Sequence, residues 1–151
     1  MPNTKAVGVA YSDPQFDSLT VTGATALATV TGTSFSGTTV TASGNLVIAS
    51  ATVAAAGSSN TDAATVAGGF TLVTAADATK GVILSAPVAG TVVIIKNADA
   101  ANAVLKVYPN SGASINALTA TTGGYSMAAK TSMVLVAYSA TQWYTVPLVA
   151  S

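Results

Sequence analysis

Thr20-Val21-Thr22-Gly23 recurs nine residues later as Thr29-Val30-Thr31-Gly32, and ten residues after that as Thr39-Val40-Thr41-Ala42. A unit this short, built on β-branched residues and closed by a small turn residue, holds one strand and one turn and leaves no room for a helix. Within Leu19-Thr20-Val21-Thr22 the period of two places Leu19 and Val21 on one side and both threonines on the other. Such units complete one another's core only when stacked, so the pattern predicts a β-stacked stem over residues 19–56, of the fibre-shaft or solenoid kind. Its large anchors are Leu19, Val21, Leu27, Val30, Phe35, Val40 and Leu46, seven residues among 38. Seven anchors are too few to offset the backbone entropy lost in ordering that segment from one chain. Three chains, each giving one apolar stripe to a common axis, would supply the missing burial, and these seven residues are the expected stem and trimer core.

Composition points the same way. The 151 residues carry five Lys and five Asp, with no Arg, Glu, His or Cys, so only 7% are charged and the net charge is zero; ordinary globular domains carry about 25%. Without His, Cys or Glu there is no thiolate or histidine metal site, no Ser-His-Asp triad, no cysteine nucleophile and no glutamate acid–base pair. No enzyme, metal or cofactor is therefore expected. Zero net charge gives no electrostatic footprint for nucleic acid or an anionic membrane. Yet half of the residues are apolar, and mean hydropathy is +0.59. So few charges cannot coat a monomer, which predicts burial against copies of the chain or a larger assembly. The most apolar runs, 47–56 and 82–95, are broken by Ser50, Thr52, Ser85, Pro87, Gly90 and Thr91, well short of the ~18 apolar residues of a membrane span. The run after Lys5 stops at Ser12, Asp13 and Pro14, too early for a secretory signal.

Four regions follow. Residues 1–18 read as an extended arm in which Val7, Val9 and Tyr11 alternate, with Phe16 beyond the Asp13-Pro14 turn. The stem occupies 19–56. Residues 57–69 are rich in Gly, Ser and Asn and read as a linker, with a short helix through 62–67 capped by Asn60 or Thr61 as the weaker alternative. From 70 to 151 the pattern is that of a compact all-β domain, a sandwich or jelly-roll-like fold, with strands expected at 70–75, 81–85, 91–96, 103–108, 114–118, 125–128, 132–138 and 143–148. Residues 97–102 and 139–142 read as hairpin loops, and Gly123-Gly124 as a tight turn. In Val92-Val93-Ile94-Ile95 and Met133-Val134-Leu135-Val136 both strand faces are apolar, so each run is central in the domain or packed on a second subunit.

Chemical constellations are sparse. Asp13 and Asp17 are four apart, but Pro14 breaks the helix that would pair them. Asn97, Asp99 and Asn102 lack the glycine and terminal Glu of a calcium loop and fit Asx turns instead. Lys130-Thr131-Ser132 hints at a Ser–Lys dyad without a second motif, and reads as a solvated turn. Trp143 and Tyr144, with Tyr108, Tyr125 and Tyr138, are the candidate glycan-stacking aromatics; period two sends Trp143 and Tyr144 to opposite faces, so only one can be core.

Three stretches carry a resemblance: Asn3 to Tyr11 followed by Phe16-Asp-Ser-Leu-Thr-Val-Thr-Gly23; the Thr-Val-Thr units; and the set 81–84, 90–97, 105–109, Ile115-Asn116 and Gln142-Trp-Tyr144. Together they resemble small virion proteins of tailed bacteriophages, of the capsid decoration (cement) and head-fibre type. The resemblance implies a homotrimer on the outer capsid surface, assembled in the host cytoplasm, with the major capsid protein as partner. Val7, Val9, Tyr11 and Phe16 are then the expected capsid-docking residues. The alternatives are a short head- or tail-fibre protein and a carbohydrate-binding module.

Overall fold

A computed structural model describes residues 44–66 and 68–146. The seven arm and stem residues Val7, Val9, Tyr11, Phe16, Leu19, Val21 and Leu27, together with Val30, Phe35 and Val40, lie outside them, as does Leu148 at the end of the last expected strand. The described chain is all-β, with ten strands and no helix. In order these are β1 (Ser50–Ala54), β2 (Ala64–Thr65), β3 (Gly69–Thr74), β4 (Gly81–Ile83), β5 (Val92–Asn97), β6 (Leu105–Tyr108), β7 (Ser114–Ile115), β8 (Tyr125–Met127), β9 (Ser132–Ser139) and β10 (Gln142–Val146).

From β1 to β9, consecutive strands alternate between two sheets. The larger has the order β1-β3-β5-β9-β10-β7 and the smaller β2-β4-β6-β8. β1, β3 and β5 pair in parallel, as do β2, β4 and β6, so the chain coils through one sheet and then the other in a solenoid-like stack. One coil places Phe70 opposite Ser50, 20 residues on; the repeat of nine to ten residues read in the sequence is half that offset, one strand and one turn. β9 and β10 then extend the larger sheet antiparallel, β7 pairs in parallel with β10 at its edge, and β8 ends the smaller sheet antiparallel to β6.

Inward residues alternate as the pleat requires. Val73, Val93, Ile95, Leu135, Ala137 and Trp143 of the larger sheet meet Val82, Leu84, Leu105, Val107 and Met127 of the smaller in one buried cluster. Both expected two-faced apolar runs are thus central strands whose inner residues are buried, and their outer residues Val92, Ile94, Val134 and Val136 stay at least partly exposed.

Three expectations need correction. The 97–102 loop is not a hairpin: β5 and β6 lie in different sheets, and the loop is the corner between them. Turn chemistry is local and looks the same for a corner as for a hairpin, whereas the choice of partner strand is not local. The last part of the predicted stem, β1, is a strand of the domain itself, paired with β3 over five residues. The 57–69 segment is not a bare linker and forms no helix through its described residues, since Asp62 ends a turn and β2 follows it to pair with β4. The 139–142 hairpin is as expected, with a register shift between Gln142 and Trp143.

The smaller sheet's outer face shows why two glycines are required. The Tyr108 ring lies over Gly81 and Gly124, where an added Cβ would fall 2.6 Å and 2.7 Å from ring carbons. At Gly81 that Cβ would also meet the Lys106 carbonyl at 2.7 Å, and backbone cannot swing aside as a side-chain tip can. Gly81→Ala is expected to cost about 1–3 kcal/mol as an overpacked site, lowering Tm by about 2–4 °C per kcal/mol in thermal denaturation.

Candidate functional site

All three Asp residues in the described chain serve the corners that lead from the larger sheet to the smaller. At the β1–β2 corner, Asp62 Oδ1 accepts from Ser58 N (3.1 Å), Ser59 N (2.8 Å) and Ser59 Oγ (2.6 Å). At the β3–β4 corner, Asp77 Oδ1 accepts from Thr79 N (3.0 Å), Thr79 Oγ1 (2.7 Å) and Lys80 N (2.8 Å), while Oδ2 pairs with the Lys80 ammonium at 3.0 Å. At the β5–β6 corner, Asn97 Oδ1 accepts from Asp99 N (3.2 Å) and Asp99 Oδ2 from Ala103 N (3.0 Å). Asn97 with Asp99 N forms the Asx turn expected for 97–102, and Asp77 with Thr79 N repeats it at the β3–β4 corner, whereas Asp62 reaches back to the amides of the preceding Ser58 and Ser59.

Two of these carboxylates, Asp62 and Asp77, respond to their donors. The Ser59 hydroxyl, then the Ser58 and Ser59 amides, hold Asp62 below its usual 3.8. The Thr79 hydroxyl first, then the Lys80 amide and ammonium, hold Asp77 well below the ordinary carboxylate range. A folded-state value below the unfolded one means that the ionised form stabilises the fold, so the contribution is complete above the unfolded value and fades as pH falls toward the folded one. Tm is therefore expected to hold from neutral pH to about pH 5 and to decline below it. Asp62→Asn and Asp77→Asn should flatten that decline in melts recorded across the acid range.

The other polar candidates are also structural. The Lys130 ammonium donates to the Asp99 carbonyl, and the Lys96 ammonium to the Lys130 carbonyl; Thr131 Oγ1 donates to Ala128 O at 2.7 Å. Lys130-Thr131-Ser132 is thus a turn tied to the β5–β6 corner. Asp13 and Asp17 lie outside the described residues.

Of the candidate glycan aromatics, Trp143 is 0% exposed on the inner face of β10 and has no surface to offer a sugar. Tyr144 points the other way, and its ring packs edge-on against Tyr138 with centroids 6.0 Å apart and planes at 62°. Tyr108 is buried, its hydroxyl donating to Ser58 O at 2.6 Å, and burial followed by the Asp62 charge pushes its pKa up from 10. Leu46, the one expected stem-core residue in view, is 78% exposed, next to Val47 at 88%, so nothing within the described chain buries it.

What stands out is the contrast between the two outer sheet faces. The smaller sheet presents Lys106, whose ammonium donates to Ser126 Oγ at 2.7 Å, and a Tyr108 tied to the 57–62 turn. The larger sheet presents a row in register, Phe70–Ile94–Val134–Val146, and beside it Val92–Val136–Tyr144. Pairing alone explains how the row forms: the parallel β3–β5 and antiparallel β5–β9–β10 ladders bring these residues onto one side of adjacent strands. A cleft of about 400 Å³ opens beside it, lined by Tyr125, Met127, Met133, Thr145 and Val146 among others. The sequence signalled this face only as apolar residues at both parities of 92–95 and 133–136; it could not say that the strands would stand side by side. Among the described residues no helix is long and apolar enough to cross a membrane, and no cluster of three acidic, His or Cys residues could hold a metal. Comparison with known protein families, curated proteins and solved structures returns no match.

Proposed function

We propose that the chain is a structural virion protein: a homotrimeric decoration, or cement, protein that sits on the outside of a bacteriophage head and bridges major capsid subunits. The observation that carries this reading is the broad apolar outer face of the larger sheet on a chain whose described carboxylates are all engaged in turns. The virion resemblance of the arm, the repeats and the β domain supplies the setting. The arm, through Val7, Val9, Tyr11 and Phe16, lies on neighbouring capsid subunits, while Leu19, Val21, Leu27, Val30, Phe35, Val40 and Leu46 join the three chains. The two-layered β body is the sandwich-like part of each chain. Three arms on one body give multivalent attachment, because the first arm to bind raises the effective concentration of sites for the others.

Deleting residues 1–18 is expected to abolish binding to purified empty heads while the trimer and its thermal transition remain. Undiminished occupancy of the heads by the deleted form would overturn the proposal. A short head- or tail-fibre role would share the stem and the trimer but not the arm-dependent attachment to heads. A carbohydrate contact is favoured by one observation, the Tyr138–Tyr144 pair, both members of which are exposed. In that case Tyr144→Ala abolishes binding on a glycan array with the fold intact.

A further inference from the structure

We propose that the tail Pro147-Leu148-Val149 crosses from the end of β10 toward the open edge of β8 and closes the two-sheet body there, with Leu148 seated in the cleft between Met127 and Met133. The occupant of the cleft is the chain's own tail, and the inference stands apart from the decoration reading.

Three observations select the tail. The first is where the cleft lies. It is bounded by β8, the first residues of β9 and the end of β10. β8 pairs with β6 alone, so among the described residues its other edge carries no strand. β10 stops at Val146, opposite Val134, two residues short of the start of β9 at Ser132. The cleft is the gap that these two shortfalls leave. An open strand edge is a template for pairing with other chains, so covering it also protects the fold. The second is the lining. Met127 and Met133 form a buried apolar floor, with Tyr125 and Val146 at the rim. At ~30 Å³ per water, about 400 Å³ holds on the order of ten waters, which apolar side chains displace favourably from such a floor. The third is the tether. Val146 itself lines the cleft, and Pro147-Leu148-Val149, outside the described residues, follow directly on it. Chain geometry keeps the Leu148 Cα within about 7 Å of the Val146 Cα, which sets an effective concentration on the order of millimolar. Pro147 has no N–H to give to a ladder. The chain therefore stops pairing with β9 where the cleft begins, and the next two residues are apolar.

Disulfide trapping in the full chain tests this, because the sequence holds no cysteine and an engineered pair supplies the only thiols. Leu148→Cys is combined in turn with Tyr125→Cys and Met127→Cys, on the inner face of β8, and with Ser126→Cys, on its outer face. Each variant is mildly oxidised and read by intact mass and non-reducing electrophoresis, while emission from Trp143, the single tryptophan and fully buried, reports the fold. A disulfide needs Cα atoms within about 7 Å. Both inner-face pairs are expected to close within one chain, and the Ser126 pair to close at least about 10-fold more slowly because its Cβ points away from the cleft. Should the Met127→Cys variant show red-shifted emission, the Tyr125 pair decides. Inner-face pairs that stay reduced in folded protein overturn the inference. Disulfides that join two chains also overturn it, since the tail of another copy would then fill the cleft. A second readout is hydrogen exchange in Leu148→Ser, where the β8 amides 125–127 are expected to exchange about 10-fold faster with those of β3 unchanged; unaltered exchange at β8 overturns the seating of Leu148. None of these measurements involves phage heads, so the tail and the decoration role stand or fall separately.

Discussion

Truncating Trp143 to alanine is expected to remove about 3–5 kcal/mol of stability, a large share of the ~5–15 kcal/mol available to a domain. The side chain is 0% exposed on the inner face of β10 and belongs to the single core cluster shared by both sheets. Its strand pairs on one side with β9 and on the other with β7, where Trp143 stands opposite Ile115. Three strands of the larger sheet therefore lose their packing at once. Trp143→Phe should behave differently. Among the described residues the buried indole N–H has no acceptor, so phenylalanine forfeits volume but no hydrogen bond made there and removes an unsatisfied donor. A cost under about 1.5 kcal/mol is expected. Denaturant titration of the two variants followed by far-ultraviolet circular dichroism checks the contrast; equal losses would show that the indole nitrogen matters after all.

The second large effect is expected at Asn97, also 0% exposed. Its amide nitrogen donates to Ala103 O (2.9 Å), Ala128 O (3.3 Å) and Met127 O (3.4 Å), and its oxygen accepts from Asp99 N. One side chain thus ties the β5–β6 corner to the end of β8 and the turn that leads into β9. Asn97→Ala leaves buried carbonyls without this donor, at about 1–3 kcal/mol for each group left unsatisfied, and about 2–4 kcal/mol in total is expected after relaxation. Asn97→Asp keeps the shape but replaces the donor with an acceptor facing carbonyl oxygens, and is expected to be no milder. Hydrogen exchange localises the damage: amides of the 98–103 and 128–131 segments should lose protection before those of β3 or β10.

These two residues also show how far the sequence could be read. Period-two alternation located most strands within a residue or two, because a half-buried strand writes its inner face into the chain. It also stated that Trp143 and Tyr144 must part company, but parity alone could not say which turns inward. Asn97 was legible as an Asx turn from its neighbours Asp99 and Asn102, but not as a clip for β8 and the following turn, whose residues lie 30 and 31 positions away. Within the domain expected at 70–151 the coil escaped for the same reason, although stacking of a solenoid kind was expected for 19–56. Each corner carries an Asp of the kind that also marks hairpin turns, and only the distant pairings of β1 with β3 and β2 with β4 reveal that the chain crosses between sheets. Residues 57–69 hid a strand because Ala64–Thr65 is too short to register as one. The apolar outer face is a product of that pairing and could be anticipated only as strands apolar on both sides.

The claim on which the account depends is that this chain works as an assembly, and sedimentation equilibrium of the purified full-length protein from micromolar to millimolar concentration tests it most directly. A single species of three times the 14.7 kDa chain mass is expected at all but the lowest concentrations. A monodisperse species of one chain mass throughout that range would contradict it.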